Sequence, residues 1–136
     1  MAGIKEDLII EIGKVIMRAA KNTSDNWEYA GYVFAAKNGS VEMVDFLFGP
    51  DRKRMFLEDR EWFKPLRENF KRFREVTRVE GDDYWIKCKA VLRRDGDFKM
   101  LFEFDDWSRW SITPGNVGRA YEILIGDIYP EALEAD

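Results

Sequence analysis

The segment from Tyr84 to Trp107 restricts the fold more than any other part of the sequence, because apolar residues alternate with polar ones on both sides of an Asp95-Gly96 pair. The apolar positions are Tyr84, Ile86, Cys88, Ala90 and Leu92 before the pair and Phe98, Met100, Phe102 and Phe104 after it. Successive side chains of a β-strand point to opposite faces of a sheet, so this period of two predicts two strands that share one apolar face. The turn residues between them predict a β-hairpin.

The hydrophobic pattern also selects the register of this hairpin. A two-residue turn at Asp95-Gly96 would set most core residues opposite charges, with Leu92 opposite Lys99 and Cys88 opposite Glu103. A three-residue loop from Arg94 to Gly96, with Gly96 in the left-handed region, sets Leu92 opposite Phe98 instead. The same register predicts the apolar pairs Ala90–Met100, Cys88–Phe102 and Ile86–Phe104 and the outer-face pairs Arg93–Asp97 and Lys87–Glu103.

Another hairpin is predicted between Trp27 and Phe48, where two strand-like runs meet at Asn38-Gly39. Asn-Gly favours a type I′ turn, because both central residues of that turn need a positive φ. This turn pairs Lys37 with Ser40 and leaves two apolar faces: Ala30, Tyr32, Phe34, Val41, Met43 and Leu47 on one, and Tyr29, Val33, Val44, Phe46 and Phe48 on the other. We expect one face to cover helices and the other to meet a second layer, a second copy of the chain in a homodimer, or a partner.

Helical spacing and helix-terminating residues predict three helical regions around these hairpins. Apolar residues from Ile4 to Ala19 predict the first, which is expected to end at the turn-forming residues 22–25. The second region spans residues 62–76 and is expected to break at Pro65, with Pro65 in the first turn of its second piece. Thr113-Pro114 predicts the start of the third, which ends at Pro130.

These elements predict a single domain over residues 1–136 of the α+β class. Its antiparallel sheet is built from two β-hairpins with helices packed on one face, in the order α-β-β-α-β-β-α. A chain of this length buries a core without disulfides or metals. Its one cysteine, Cys88, lies at an inward strand position, so we expect it to pack as a small hydrophobic side chain in a reducing, cytoplasmic environment.

Composition argues against catalysis and against the membrane. The chain has no histidine, which removes the commonest general base and the commonest transition-metal ligand. No apolar run is long enough to span a bilayer, and acidic residues interrupt the apolar part of the first twelve residues, unlike in a signal peptide. We therefore expect a non-enzymatic protein without a cofactor or a metal.

Charge is distributed unevenly along the chain. Residues 52–78 contain ten Lys and Arg against five Asp and Glu, a net charge of +5, whereas the whole chain carries −4, so the remainder carries −9. Aromatic and basic residues alternate at Phe70-Lys71-Arg72-Phe73-Arg74, as in some nucleic-acid-binding proteins. An alternative function is thus a nucleic-acid-binding module that uses Arg67, Lys71, Arg72 and Arg74. The structural alternative is a helix with an apolar core face and a solvated basic face.

The end of the Tyr84–Trp107 segment is the candidate partner-binding surface. It combines carboxylates with tryptophans, and Trp is favoured at binding hot spots: the residues are Glu103, Asp105, Asp106, Trp107 and Trp110. The three carboxylates alternatively predict an oxygen-ligand metal site, and the two tryptophans alternatively close the core beneath a loop. Asp82 or Asp83 with Asp97 and Lys99 is similar to the carboxylate–lysine set of metal-dependent nucleases, but the hairpin register places Asp97 beside the turn, opposite Arg93.

The same hairpin resembles the YezG-like family, in which a Trp-led strand precedes a Gly-x-Phe turn and an F-x-F/Y-x-D strand. Here the corresponding residues are Trp85 to Leu92, then Gly96-Asp97-Phe98, then Phe102-Glu103-Phe104-Asp105-Asp106. The resemblance implies a small cytoplasmic immunity protein, or antitoxin, that binds and silences the nuclease domain of a secreted toxin. It carries no functional site, catalytic or binding, over to this chain. Our hypothesis is a protein-binding inhibitor whose partner is a basic toxin domain.

Overall fold

The computed structural model describes residues 3–134 and confirms the α+β class and the predicted order of the main elements. The helices are α1 (Ile4–Thr23), α2 (Phe63–Val76) and α3 (Ala120–Ile125), with 3-10 turns at Val117–Arg119 and Pro130–Leu133. The strands are β1 (Tyr29–Lys37), β2 (Ser40–Phe48), β3 (Arg54–Met55), β4 (Lys87–Arg93) and β5 (Phe98–Glu103). They form one antiparallel sheet in the order β3-β2-β1-β4-β5, in which the short β3 is an addition to the two predicted hairpins. Within residues 3–134, no helix is both long and apolar enough to cross a membrane.

Both hairpins adopt the predicted registers. Lys37 pairs with Ser40 around Asn38 and Gly39, whose φ angles of 51° and 82° fit a type I′ turn. Around the other turn, Gly96 has a φ of 98°, and the Arg93 amide donates to the Asp97 carbonyl at 2.8 Å. The predicted pairs Leu92–Phe98, Ala90–Met100, Cys88–Phe102 and Lys87–Glu103 all form. Beyond them, the Ile86 amide donates to the Glu103 carbonyl, where β5 ends.

The sheet carries a hydrophobic core on each face, which corrects the prediction that all helices pack on one face. α1 and α2 cover the face of Tyr32, Phe34 and Cys88. The opposite face, with Tyr29 and Val33, is covered by α3 and the segments around it. The second apolar face of the first hairpin therefore meets a second layer of the same chain.

Two helix boundaries differ from the predictions. α2 begins at Phe63 after a turn, so Pro65 lies in the first helical turn, as expected, but no helical piece precedes it. The missing N–H of Pro65 has no cost at that position, since first-turn amides lack intrahelical partners. Residues 114–116 form a turn, and the Asn116 side chain accepts from the Thr113 amide at 2.7 Å. The third helix consequently starts at Val117 with 3-10 geometry rather than at Pro114.

Two lysines that the alternation placed on an outer face are buried. Lys87 is 2% exposed and Lys89 is fully buried, because the C-terminal layer covers this side of β4. Lys87 Nζ donates to the Arg109 carbonyl at 2.8 Å and to Ser111 Oγ at 3.2 Å, so its partner is not the side chain of Glu103. Lys89 Nζ forms an ion pair with Asp127. Cys88 is buried on the other face, as predicted, and burial raises the pKa of its thiol.

Burial of Lys89 predicts a distinctive pH dependence of stability. Burial lowers the pKa of Lys89 from 10.5 to about 8, although Asp127 opposes that shift. Between these two values the unfolded state binds more protons, so the free energy of unfolding rises with pH, by about 2 kcal/mol from about pH 7.5 to about pH 9.5. Urea unfolding across this range should show that rise in the unmodified protein and a much smaller one in Lys89→Met.

Burial also lowers the pKa of Lys87. Because Lys87 is present in both proteins, its effect cancels and the difference between the two curves reports Lys89 alone. Lys14→Met, on the exposed side of α1, is the matched control and should follow the unmodified curve. Parallel curves for Lys89→Met and the unmodified protein would show that folding does not lower the pKa of Lys89.

Candidate partner-binding surface

The loop that follows β5, residues 104–110, is organised by the carboxylate of Glu103. Its Oε2 accepts the backbone amides of Phe104 at 3.2 Å and of Asp105 and Asp106 at 3.1 Å each. Its Oε1 accepts from the Arg109 guanidinium at 2.9 Å. These amide and guanidinium donors lower the pKa of Glu103 to about 2. Glu103 thus fixes the loop from within, and its side chain is only 16% exposed.

Asp105 and Asp106 lie on the outside of this loop, and both are exposed. The Asp106 carboxylate accepts from the Ser108 hydroxyl at 2.6 Å and from the Ser108 amide at 2.9 Å, and these bonds lower its pKa. Among residues 3–134, nothing pairs with the carboxylate of Asp105. The loop therefore presents two adjacent negative charges on a backbone that is already hydrogen-bonded.

Trp107 is half-buried beside these carboxylates. Its ring lies 5.7 Å from Lys37 Nζ and 5.3 Å from Lys87 Nζ, measured to the ring centroid. Both distances fit cation–π interactions, which attach the indole to the ends of β1 and β4. The exposed part of the ring is an apolar area next to the charges of Asp105 and Asp106.

Trp110 has a different role, because it is only 6% exposed and belongs to the second core. Its indole N–H donates to Asp127 Oδ2 at 2.8 Å, and Lys89 Nζ and the Arg109 guanidinium lie 4.9 Å and 4.4 Å from its ring. Its φ of +66° is uncommon for a bulky residue and persists only where the surroundings fix it. Trp110 thus supports the loop from below and offers little area to a partner.

The structure brings four of the five predicted residues into one surface element. Two further residues, Arg109 and Asp127, support this element and were not predicted from the sequence. We define the acidic loop as residues 103–107. Arg109 holds Glu103 and also contacts Asp127 at 3.3 Å, and Asp127 holds Trp110 and Lys89. No local pattern marks Asp127, since it lies twenty residues after Trp107, in the turn that follows α3. The one available signal was the presence of two charged residues, Lys87 and Lys89, in a strand that is otherwise apolar up to Leu92.

The alternative chemical sites gain no support from the coordinates. Within residues 3–134, no three Asp, Glu or Cys side chains come together as metal ligands. The Asp97 carboxylate accepts from the Tyr129 hydroxyl at 2.8 Å, and Lys99 Nζ lies 4.5 Å from the centroid of the Tyr129 ring. Asp97 and Lys99 therefore anchor the C-terminal layer to the end of the sheet, and Asp83 lies in a separate exposed loop.

Two of the basic residues of α2, Arg74 and Lys71, have partners within the chain. Arg74 Nε donates to the Trp85 carbonyl at 2.7 Å, and its guanidinium lies 4.7 Å from the centroid of the Tyr84 ring. Lys71 pairs with Glu68 at 3.7 Å, and Arg67 is partly buried. Arg74 is therefore part of the packing between α2 and the segment before β4. The buried side of this helix, at Leu66, Phe70 and Phe73, matches the core face expected from its spacing.

Comparison with known proteins identifies the family. The search of curated proteins gave no match. A family described as YezG-like immunity proteins matches residues 53–132, which is more than half of the chain. The matched range contains α2, the β4–β5 hairpin, the acidic loop and α3. The chain belongs to the YezG-like immunity protein family.

Proposed function

We propose that this protein neutralises a toxin by stoichiometric binding in the cytoplasm, and that the toxin is a nuclease. The acidic loop is the proposed contact surface, with Asp105, Asp106 and Trp107 facing the toxin and Glu103 and Trp110 holding them in place. The chain acts as an inhibitor rather than as an enzyme. The observation that carries the proposal is a pair of exposed carboxylates beside a partly exposed tryptophan on a loop fixed by its own hydrogen bonds.

Electrostatics explains why such a loop suits a nuclease. Proteins that grip the phosphate backbone do so with Lys and Arg, so their active-site grooves are positively charged. Carboxylates that enter such a groove meet complementary charge, which accelerates association and excludes nucleic acid. An inhibitor needs fast association, because a free toxin causes damage before it is bound.

Preorganisation gives the loop a further advantage. A binding segment that is ordered only in the complex loses conformational entropy on binding, which weakens the affinity. Here Glu103 already accepts three backbone amides of the loop, and Asp106 accepts two donors from Ser108. The loop therefore keeps its shape before it meets a partner. Trp107, attached to the sheet by two lysines, supplies an aromatic anchor of the kind found at hot spots.

The central test is capture and inhibition of a toxin domain, first of any that is encoded in the gene next to that of this chain. Coexpression should restore growth of cells that produce the toxin, and the two proteins should purify together as a stable complex. If the toxin is a nuclease, its cleavage of DNA or RNA should fall linearly with added protein and vanish at one-to-one stoichiometry. Residual cleavage at a large excess, or no complex at micromolar concentration, would contradict the proposal.

The same preparation decides between the proposed function and nucleic-acid binding. A module that used Arg67, Lys71, Arg72 and Arg74 would bind duplex or single-stranded nucleic acid by itself, with an affinity that falls steeply as salt rises. The inhibitor should show no such binding at low salt in the absence of toxin. If the inhibited toxin cleaves no nucleic acid, the proposed immunity function stands and the proposal that the toxin is a nuclease is rejected.

The contact surface is tested by reversing its charge in Asp105→Lys/Asp106→Lys. Against a basic groove, the association rate constant at low salt should fall by about tenfold or more, and the difference should shrink at high salt because screening weakens steering. Stopped-flow or surface-based kinetics at two salt concentrations measures both effects. Neither carboxylate is in the core, so circular dichroism should stay close to that of the unmodified protein, and the unfolding midpoint should fall only slightly, through loss of the Ser108 bonds to Asp106.

The matched control is Glu58→Lys/Glu61→Lys, which makes the same change in net charge at two exposed carboxylates. These residues follow β3, at the opposite edge of the sheet from the acidic loop. Equal losses of rate in the two double variants would mean that overall charge, rather than the acidic loop, governs binding.

A further inference from the structure

β5 is an edge strand whose outer side is open for pairing. It lies at the end of the sheet, and within residues 3–134 its only strand neighbour is β4. In an antiparallel ladder, alternate residues direct their N–H and C=O groups to the same neighbour. Since Asp97 is bonded to Arg93 of the neighbouring strand, Lys99, Leu101 and Glu103 also face β4. The backbone groups of Phe98, Met100 and Phe102 consequently point away from the sheet.

An apolar strip runs along this free edge on the side of α1 and α2. It consists of two grooves of about 370 Å³ and about 390 Å³, which share Ile9 and Phe98. Phe104 at one end and Ile10 at the other are 51% and 52% exposed. An unpaired strand edge beside exposed apolar area is a template for strand addition.

We propose that β5 pairs antiparallel with β5 of a second copy of this chain, about a two-fold axis at Leu101. This register sets Met100 opposite Phe102 and Phe98 opposite Phe104 on the apolar side. On the other side it sets Lys99 of each copy opposite Glu103 of the other. The sheets of the two copies then form one continuous sheet, and the apolar strips of the two copies lie side by side. The inference stands independently of the proposed function.

Charge selects this register over its neighbours. A shift by one residue would mix the two faces, because the side-chain period of a strand is two. A shift by two residues in one direction sets Asp97 opposite Glu103 of the second copy and so places like charges together. A shift by two in the other direction sets Phe98 opposite Asp106 and Leu101 opposite Glu103, and it moves more of the pairing beyond Glu103, where β5 ends. The Leu101 register alone sets opposite charges across from each other within the strand, with Lys99 of each copy facing the Glu103 carboxylate that Arg109 also holds, and such an arrangement favours pairing.

Cysteine substitution tests the register directly. In the proposed dimer, Leu101 faces its own copy in a non-hydrogen-bonded pair with Cα atoms about 4.5 Å apart, a separation that a disulfide bridges. Lys99 lies at least about 13 Å from Lys99 of the second copy, counted along the strands. Under mild oxidation, Leu101→Cys should form a covalent dimer and Lys99→Cys should stay monomeric. Cys88 is buried in both variants and serves as a shared background.

Sedimentation of the unmodified chain supplies a measurement that does not depend on any variant folding. At micromolar concentration it should show a species of twice the 16.0 kDa chain mass. Lys99→Glu should raise the dissociation constant of the dimer about tenfold or more, because it sets two carboxylates opposite each other, whereas Lys99→Gln should raise it less.

A monomer throughout the micromolar range, or equal cross-linking of the two cysteine variants, would overturn the proposal. So would a chain that stays monomeric alone and whose β5 amides become protected from exchange only when a toxin domain is added. That last result would assign the free edge to the toxin.

Discussion

The rest of the structure depends on the burial of β1 on both faces. Phe34 is fully buried on one side of this strand and Val33 is 5% exposed on the other, so neither face tolerates water. A strand of this kind needs a layer on each side of the sheet. α1 and α2 supply one layer, and the chain after β5 has to return across the sheet to supply the other.

The burial of Lys87 and Lys89 follows from this return of the chain across the sheet. When the C-terminal segment covers β4, Lys87 and Lys89 lose their contact with water and require partners inside the protein. Lys87 donates to the Arg109 carbonyl and to Ser111, and Lys89 forms an ion pair with Asp127. Asp127 also accepts from Trp110 and Arg109, so one carboxylate ties the second layer to both the sheet and the loop. This connection supports the acidic loop from below through Arg109, which also holds Glu103.

Local chemistry made much of the fold predictable. Turn residues and alternation specified both hairpin registers, because Asn38-Gly39 admits the φ angles of one turn and a wrong register at Gly96 would set core residues against charges. Alternation states which side chains share a face, but not what covers that face. For this reason Lys89 was expected at the surface and Trp110 was expected to face a partner. Both expectations depended on Asp127, whose position only the complete packing determines.

The acidic loop and the free edge of β5 meet at Glu103, and the geometry of that residue shows how one strand can serve two surfaces. Its side chain points back into the loop and is mostly covered, whereas Asp105 and Asp106 point outward. The proposed dimer pairs along the side of the sheet, through backbone groups of Phe98, Met100 and Phe102. In the proposed toxin complex, the toxin contacts the end of the strand, through carboxylates beyond Glu103. The two approaches use different groups, so a dimer joined at Leu101 would carry two acidic loops, one on each side of its axis.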